Sequence, residues 1–272
     1  MLNSKDLLTE MGLCPNKALG QNFLVDASAL SRIAEIADCH GMPVLEIGPG
    51  LGALTNELVQ DASRLLAVEI DRRMADALML QFQTQPNLKI VCRDFLKYSD
   101  EEIAAELGSS QIVVAANLPY YITSPICARL LESRLPIHRM VLMMQDEAAE
   151  RFTAKPKAKN YGPLSILAQY LYDVSVVSKL SPASYYPAPD VNSTVLLFER
   201  NTNIMPKAMP KILRSAFAMR RKTLLNNMLG IMPKQTSLSA IECAGLEPTV
   251  RAEALNADDF VRLAMAVEHI AD

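Results

Sequence analysis

Long apolar runs are missing from this 272-residue chain. None reaches the ~18–20 residues that a membrane-spanning helix requires. The segment from Met1 to Cys14 lacks both the basic stretch and the extended apolar stretch of a secretory leader, which predicts a cytosolic protein. Cysteine is sparse and unpatterned: Cys14, Cys39, Cys92, Cys127 and Cys243 are odd in number and never form a CxxC pair. That pattern argues against a disulfide framework and against a zinc site. His40, His138 and His269 are equally isolated, so no metal is expected. Positive charge is not in excess either: 27 Lys and Arg against 30 Asp and Glu give a net charge of −3. Internal repeats and low-complexity tracts are absent.

What is present is a globular composition, 50% apolar and 21% charged. The length predicts one large domain and one small one. Short apolar runs at Val44–Ile47, Leu65–Ile70, Leu88–Val91, Ile112–Ala116 and Met140–Met144 read as buried strands. Between them Leu54–Gln60, Met74–Phe82 and Ile103–Leu107 read as helices. Alternation of this kind predicts an α/β fold with a doubly wound, Rossmann-like sheet. Val174–Leu180 and Ser193–Phe198, joined by the Pro-rich Ser181–Pro189 segment, should be the last two strands, forming a hairpin-like edge. Asn201–Pro206 reads as a linker, and beyond it the pattern is purely helical. Ile212, Leu213, Ala216, Phe217, Leu224, Leu225 and Met228 fall on one face, with Gly230 as a stop. The expected division is residues 1–200 as a catalytic domain and 201–272 as a small all-helical domain.

Charge is unevenly placed. From Arg200 through Ile241 there are Arg200, Lys207, Lys211, Arg214, Arg220, Arg221, Lys222 and Lys234, without a single Asp or Glu. Arg151, Lys155, Lys157 and Lys159 form a second basic cluster. Each alone suits a solvated face; together, near a cleft of suitable chemistry, they suit a polyanion.

The first strand runs into Glu46-Ile-Gly48-Pro-Gly50-Leu-Gly52-Ala53. Glycines there let a backbone approach a ligand at a helix amino terminus. Taken alone, the loop fits a nicotinamide dinucleotide as well as S-adenosylmethionine. Glu69, about 20 residues on, is placed to hold ribose hydroxyls. Asp94, in Cys92-Arg93-Asp94-Phe95, sits at the same sheet edge and suits the exocyclic amino group of an adenine. Asn117-Leu118-Pro119-Tyr120 follows the fourth strand. Its amide oxygen and backbone carbonyl can accept both N–H bonds of an adenine N6, and Tyr120 can stack on the ring. An acidic Glu46 before the glycines, combined with Asn-Leu-Pro-Tyr, resembles class I S-adenosylmethionine-dependent methyltransferases that act on nucleobase amino groups.

A fuller series of motifs runs along the chain. Lys17-Ala-Leu-Gly-Gln-Asn-Phe-Leu24 precedes the first strand. The Glu46–Gly52 loop, Val68-Glu69-Ile-Asp71, Asn117–Tyr120 and Tyr161-Gly162-Pro-Leu-Ser165 follow. Pro187-Ala-Pro-Asp-Val-Asn-Ser193, Phe217-Ala-Met-Arg-Arg-Lys-Thr-Leu224 and Arg251-Ala-Glu-Ala-Leu255 complete it. In this order they resemble the small-subunit (16S) ribosomal RNA adenine-N6,N6-dimethyltransferase family.

The resemblance implies a class I methyltransferase sheet, S-adenosylmethionine as cofactor, and two adjacent adenosines in the 3′-terminal hairpin of small-subunit ribosomal RNA as target. It implies that Asn22 and Leu24 close over the methionine end of the cofactor. Gly48, with Glu46 and Gly50 in the same loop, would lie under it, Glu69 would bind its ribose and Asp94 its adenine. Asn117 would touch cofactor and target. Tyr185 matches the family's second stacking aromatic, although Tyr186 beside it could take the same role. Arg220, Arg221 and Lys222 become candidate RNA contacts, the partner a pre-ribosomal small subunit, and the protein a cytoplasmic monomer. Three other readings stay open from sequence: a resistance-type methyltransferase of large-subunit RNA, a non-catalytic assembly factor, and a nicotinamide oxidoreductase.

Overall fold

The computed structural model describes residues 8, 14–16, 20–108 and 111–271. The chain divides into two compact units, one comprising Met1–Ala149 and Ser175–Arg200, the other Glu150–Val174 and Asn201–Asp272. The boundary expected at residue 200 coincides with one of these borders. Glu150–Val174, assigned from sequence to the first domain, groups with the second unit instead.

In the first unit the described chain opens with β1 (Phe23–Leu24) and α1 (Ala27–Ala37). There follow β2 (Pro43–Ile47), α2 (Ala53–Asp61), β3 (Arg64–Glu69), α3 (Arg72–Gln81), β4 (Leu88–Cys92), α4 (Asp100–Leu107), β5 (Ile112–Asn117), α5 (Thr123–Leu131) and β6 (Ile137–Gln145). The helix α6 (Asp146–Thr153) and, later, α7 (Pro163–Leu171), β7 (Tyr172–Leu180), β8 (Tyr185–Tyr186) and β9 (Ser193–Arg200) complete the series up to the linker. Each predicted strand is present to within a few residues at its ends. The sheet order is β4-β3-β2-β5-β6-β9-β7. The β2–β3, β3–β4, β2–β5 and β5–β6 pairs are parallel, and β9 runs antiparallel to β6. The two last strands thus lie at one edge, as expected.

Local chemistry explains these elements. Every residue of β2 is buried and so are five of the six in β5, which is why their sequences read as continuous apolar runs rather than alternating ones. Asp26 caps α1 by accepting from the Ser28 and Ala29 amides, and Ser99 with Glu102 forms a capping box on α4. Gly52 opens α2 at φ +78°, and a Cβ there would stand 2.6 Å from both Leu78 and Phe82 side chains. The third glycine of the loop therefore lets α2 seat against α3.

The chain winds outward from β2 through β3 to β4, then returns to the other side of β2 as β5. The crevice where the winding reverses is where open α/β sheets bind ligands. A second, two-stranded sheet pairs Phe23 with Tyr186 and Leu24 with Tyr185. Runs this short carry no periodicity, so the sequence offered no sign of them.

The second unit contains α7 together with α8 (Met209–Ala216), α9 (Leu224–Met228), α10 (Lys234–Cys243) and α11 (Ala257–Ala271). Tyr161 meets Phe217 edge-on at 6.3 Å, Phe217 lies 5.9 Å from Phe260, and the Tyr161 hydroxyl donates to the Leu255 carbonyl. These contacts are the physical reason that Glu150–Val174 belongs here. The single helical face expected over Ile212–Met228 is in fact two helices separated by a turn. Asn227 holds that turn by donating to the Ala216 and Met219 carbonyls, and Thr223 caps α9. Asn256 and Asp259 cap α11 reciprocally, each accepting from the other's amide.

Candidate active site

A cleft lies at the carboxyl ends of β2, β3, β4 and β5. Asn22 and Leu24 from the segment ahead of α1, Glu46, Gly48 and Gly50 from the first loop, Glu69 and Asp94 all line it. So do Asn117, Leu118, Pro119 and Tyr120. Residues dispersed over nearly a hundred positions of sequence meet because four parallel strands end side by side.

The floor is acidic and buried. Glu46 is 1% exposed, and its Oε2 has no hydrogen-bond partner among the described residues. Burial pushes its carboxyl up to about 8, and the neighbouring Glu69 pushes in the same direction. Glu69 is also raised by burial, although its Oε1 accepts the Asp71 amide at 2.8 Å and its Oε2 the Gly50 amide at 3.0 Å. Two carboxyls at such cost call for a cationic ligand. Gly48, at φ +69°, places its backbone against Pro119 and Asn117, where an added Cβ would sit 3.7–3.8 Å away. Asp94 lines the wall while accepting the Leu96 amide at 3.0 Å. S-adenosylmethionine, with its sulfonium, ammonium, ribose and adenine, matches this donor set: acids for the cation and hydroxyls, and a side-chain-free backbone for close approach.

The opposite wall is the Asn117–Tyr120 turn. Asn117 ends β5, and its Nδ2 donates to the Asn22 carbonyl at 3.1 Å. With the amide nitrogen so engaged, Oδ1 is the atom left to accept from a ligand. The Leu118 amide donates to the Met143 carbonyl at 2.9 Å, tying the turn to β6. The Tyr120 hydroxyl bonds Ser193 Oγ at 2.9 Å, and Ser193 is wholly buried. Tyr185 and Tyr186 separate by strand alternation. Tyr185 is 4% exposed, its hydroxyl donating to Met143 Sδ at 3.0 Å, whereas Tyr186 is 36% exposed. Neither lines the cleft; Met143 does, standing between Tyr185 and the open space.

Several lining residues escaped the sequence reading. Tyr121, next to the Asn-Leu-Pro-Tyr turn, is 46% exposed at the rim. Arg93 and Phe95 flank Asp94 there, and Gln21 sits beside Asn22. Tyr121 only adjoins a motif, and Arg93, Phe95 and Gln21 sit within motifs whose other residues carried the reading.

The basic candidates lie in the second unit. Arg220, Arg221 and Lys222 occupy the exposed turn between α8 and α9. Arg220 donates to the Lys159 carbonyl at 2.6 Å and pairs with Glu253 at 3.2 Å. The loop after α6 that carries Lys155, Lys157 and Lys159 and the Arg220 turn, some sixty residues apart in sequence, are thereby joined, while Arg151 lies within α6. Lys155, Lys157 and Lys159 are exposed on that loop.

A doubly wound sheet with an antiparallel strand next to one edge, a switch-point cleft and a glycine loop between buried acids defines a class I methyltransferase. The family model described as ribosomal RNA adenine dimethylase matches residues 14–269. The Moorella thermoacetica protein named ribosomal RNA small subunit methyltransferase A is 40% identical over 276 residues, covering 97% of this chain and 96% of its own. Its namesake in Geobacillus thermodenitrificans is 38% identical over 278 residues, covering 97% and 94%. Among solved structures, a dimethyladenosine transferase from Plasmodium falciparum superposes with a TM-score of 0.72 at 25% identity, covering 90% of this chain and 96% of that one. The 23S rRNA methyltransferase ErmE gives 0.62 at 26%, covering 91% and 100%. The chain belongs to the ribosomal RNA adenine dimethylase family. It is an S-adenosylmethionine-dependent ribosomal RNA adenine dimethyltransferase, as the resemblance implied.

Proposed function

We propose that this enzyme dimethylates N6 of two adjacent adenosines in the 3′-terminal hairpin of small-subunit (16S) ribosomal RNA, acting as a cytoplasmic monomer on a pre-ribosomal particle. The observation that carries the chemistry is the Asn117 amide, held by the Asn22 carbonyl in the same cleft as Glu46, Gly48 and Glu69. The small-subunit assignment is supported by full-length relatives of that name at 38–40% identity. The adjacent pair and its hairpin are what the motif series implies.

An adenine N6 is a weak nucleophile because its lone pair is delocalised into the ring. In this reading Asn117 Oδ1 and the Leu118 carbonyl accept its two hydrogens and draw the nitrogen towards a tetrahedral geometry. The Tyr120 ring stacks on the base, steadied at its hydroxyl by Ser193, and contributes ~1–3 kcal/mol of positioning. S-adenosylmethionine supplies the electrophilic methyl group. Glu69 would hold its ribose, Asp94 its adenine, and Asn22, Leu24, Glu46, Gly48 and Gly50 its methionine end. No strong base is needed, since the attacked nitrogen becomes acidic once positively charged. Rate comes from alignment and fixed dipoles in a small, mostly buried site. The target base must leave its stack, which costs least in a loop. Tyr185 can act as a second clamp only after moving from its buried place; where it sits it shapes the wall through Met143. Arg221, Lys222 and the lysines of the 155–159 loop contact phosphates.

The test is transfer of labelled methyl to unmethylated small subunits, large subunits and free RNA, with nucleoside mass spectrometry of the product. N6,N6-dimethyladenosine confined to two adjacent positions of small-subunit RNA is expected. Label on large subunits alone would overturn the substrate, and no label anywhere would overturn the activity.

A further inference from the structure

Gln21 belongs to none of the groups that touch the reacting atoms, yet it is bonded at both ends of its side chain. Its Oε1 accepts the Asn16 amide at 2.8 Å and its Nε2 donates to Asp71 Oδ2 at 3.1 Å. Asp71 is itself fixed. It is 8% exposed, accepts the Arg73 amide at 3.0 Å as the cap of α3, and pairs with the Arg73 guanidinium at 2.7 Å. These donors hold its carboxyl below the usual range, the Arg73 side chain foremost, so it stays an anion able to accept from Gln21.

Two chains of bonds leave this point for the two halves of the cleft. From Asp71 the backbone amide donates to Glu69 Oε1 at 2.8 Å, reaching the ribose side. From Gln21 the backbone passes to Asn22, whose carbonyl accepts from Asn117 Nδ2 at 3.1 Å, reaching the amide that faces the target. Gly20, just ahead, has a φ of +57° and lies against the Tyr121 ring; a Cβ there would stand 3.6 Å from Cδ1. The Gly20 carbonyl is also held, by Asn22 Nδ2 at 3.2 Å. Apart from these bonds and β1, the described contacts give this segment no regular secondary structure. The pairing of β1 with β8 fixes Phe23 and Leu24; ahead of it, residues 20–22 are placed by a handful of bonds, of which Gln21–Asp71 is the one made to a charged and mostly buried partner.

From these contacts we infer that Gln21 is a positioning residue: its bond to Asp71 holds the Asn22 carbonyl where it orients the Asn117 amide, and so couples cofactor binding to target alignment. This rests on the function proposed above for Asn117 and Glu69. An amide free to turn would present its NH2 group, a donor, to an adenine amino group that needs an acceptor, so misorientation is costly to the rate rather than to RNA binding.

The test uses Gln21→Glu, Asp71→Asn and the pair together. Gln21→Glu keeps the shape and the acceptor for Asn16 but sets a carboxylate against the Asp71 carboxylate. Asp71→Asn in that background restores a donor–acceptor pair of reversed polarity while keeping a residue that caps helices well. Three quantities are read: kcat and particle KM with small subunits, the Kd of S-adenosylmethionine, and amide hydrogen exchange over residues 20–26 in the ligand-free protein. Gln21→Glu should speed that exchange, raise the cofactor Kd about five- to tenfold and lower kcat tenfold or more. Particle KM should stay within twofold, and the double variant should recover most of each loss. Wild-type values within twofold in Gln21→Glu would overturn the inference, and so would losses that the double variant fails to recover. Wild-type enzyme runs alongside: if it transfers no methyl to small subunits, the proposed function fails, whereas if it does and Gln21→Glu matches it, only the role of Gln21 fails.

Discussion

The cleft of the first unit and the basic turn of the second handle polar groups in opposite ways. In the cleft the groups are few, largely buried and individually aimed: Glu69 by two backbone amides, Asn117 by one carbonyl, Tyr120 by a buried serine. At the Arg220–Lys222 turn the charges are exposed and, except for Arg220, no bond fixes them in the contacts described. Aimed groups act on a transition state whose geometry is unique. Loose cations suit a polyanion whose charges repeat along its length. On the proposed function, one chain keeps the two tasks in separate compact units.

The largest expected effect comes from breaking the aimed group. Asn117→Ala should lower kcat by at least a thousandfold, equivalent to ~4 kcal/mol. Particle binding, measured by filter retention, should stay within about threefold of wild type. Ser193→Ala releases the Tyr120 hydroxyl without removing the ring. It should lower kcat about five- to tenfold, or ~1 kcal/mol for one hydrogen bond, with no change in salt dependence. A wild-type rate in that variant would show that Tyr120 needs no steadying.

The buried acids allow the comparison to be sharpened by pH. Burial pushes the Glu46 carboxyl up to about 8 in the folded chain, against its ordinary 4.5 when unfolded. Between those values the folded chain binds more protons than the unfolded one. The stability contributed by the protonated form is complete below 4.5 and is lost as pH rises towards 8, at a limiting slope of ~1.4 kcal/mol per pH unit. Thermal melts of ligand-free protein should therefore weaken across that window. Glu46→Gln, which is always neutral, should flatten the dependence, while no exposed charge of the basic turn should reproduce it.

The smallest effects belong to the loose cations. Arg221→Gln with Lys222→Gln should weaken particle binding a few-fold at moderate salt and reduce the slope of log K against log salt by ~0.7–0.9 for each contact removed. Arg220→Gln should differ from both by lowering the melting temperature of the second unit, because it also loses Lys159 and Glu253. Equal salt slopes in all three would erase the distinction between bonded and free cations.

How far the chain could be read in advance follows the same division. Buried parallel strands announce themselves as apolar runs, and a glycine loop at the end of one of them locates the cleft, so the sheet and most of the site were legible. Asn117 and Glu69 were legible because each ends a strand, and Asp94 because it follows one by two residues. Contacts fixed by register across long separations were not. Nothing in Ala183-Ser-Tyr-Tyr-Pro187 says that pairing with Phe23–Leu24 turns Tyr185 inward and Tyr186 outward. Nor does the basic 151–159 stretch show, before folding, that Tyr161 packs on Phe217 and carries Glu150–Val174 into the second unit. Gln21 read as one letter of a motif; its role emerges only when Asp71 is seen beside it.

The small β1–β8 sheet has a consequence for how the enzyme is made. It joins residues roughly 160 positions apart, and the bonds from the Val25 amide to the Ser184 carbonyl and from Ser184 Oγ to Asp26 reinforce the same seam. A ribosome adding ~5–20 residues per second takes about 8–30 s to travel from one strand to the other. Before that interval ends the strands bearing Glu46, Glu69 and Asn117 have all been made, while the segment carrying Asn22 still has no partner strand to close it. The nascent chain thus acquires its methyl-donor pocket in final form only after Tyr186 has cleared the exit tunnel, late in its own translation.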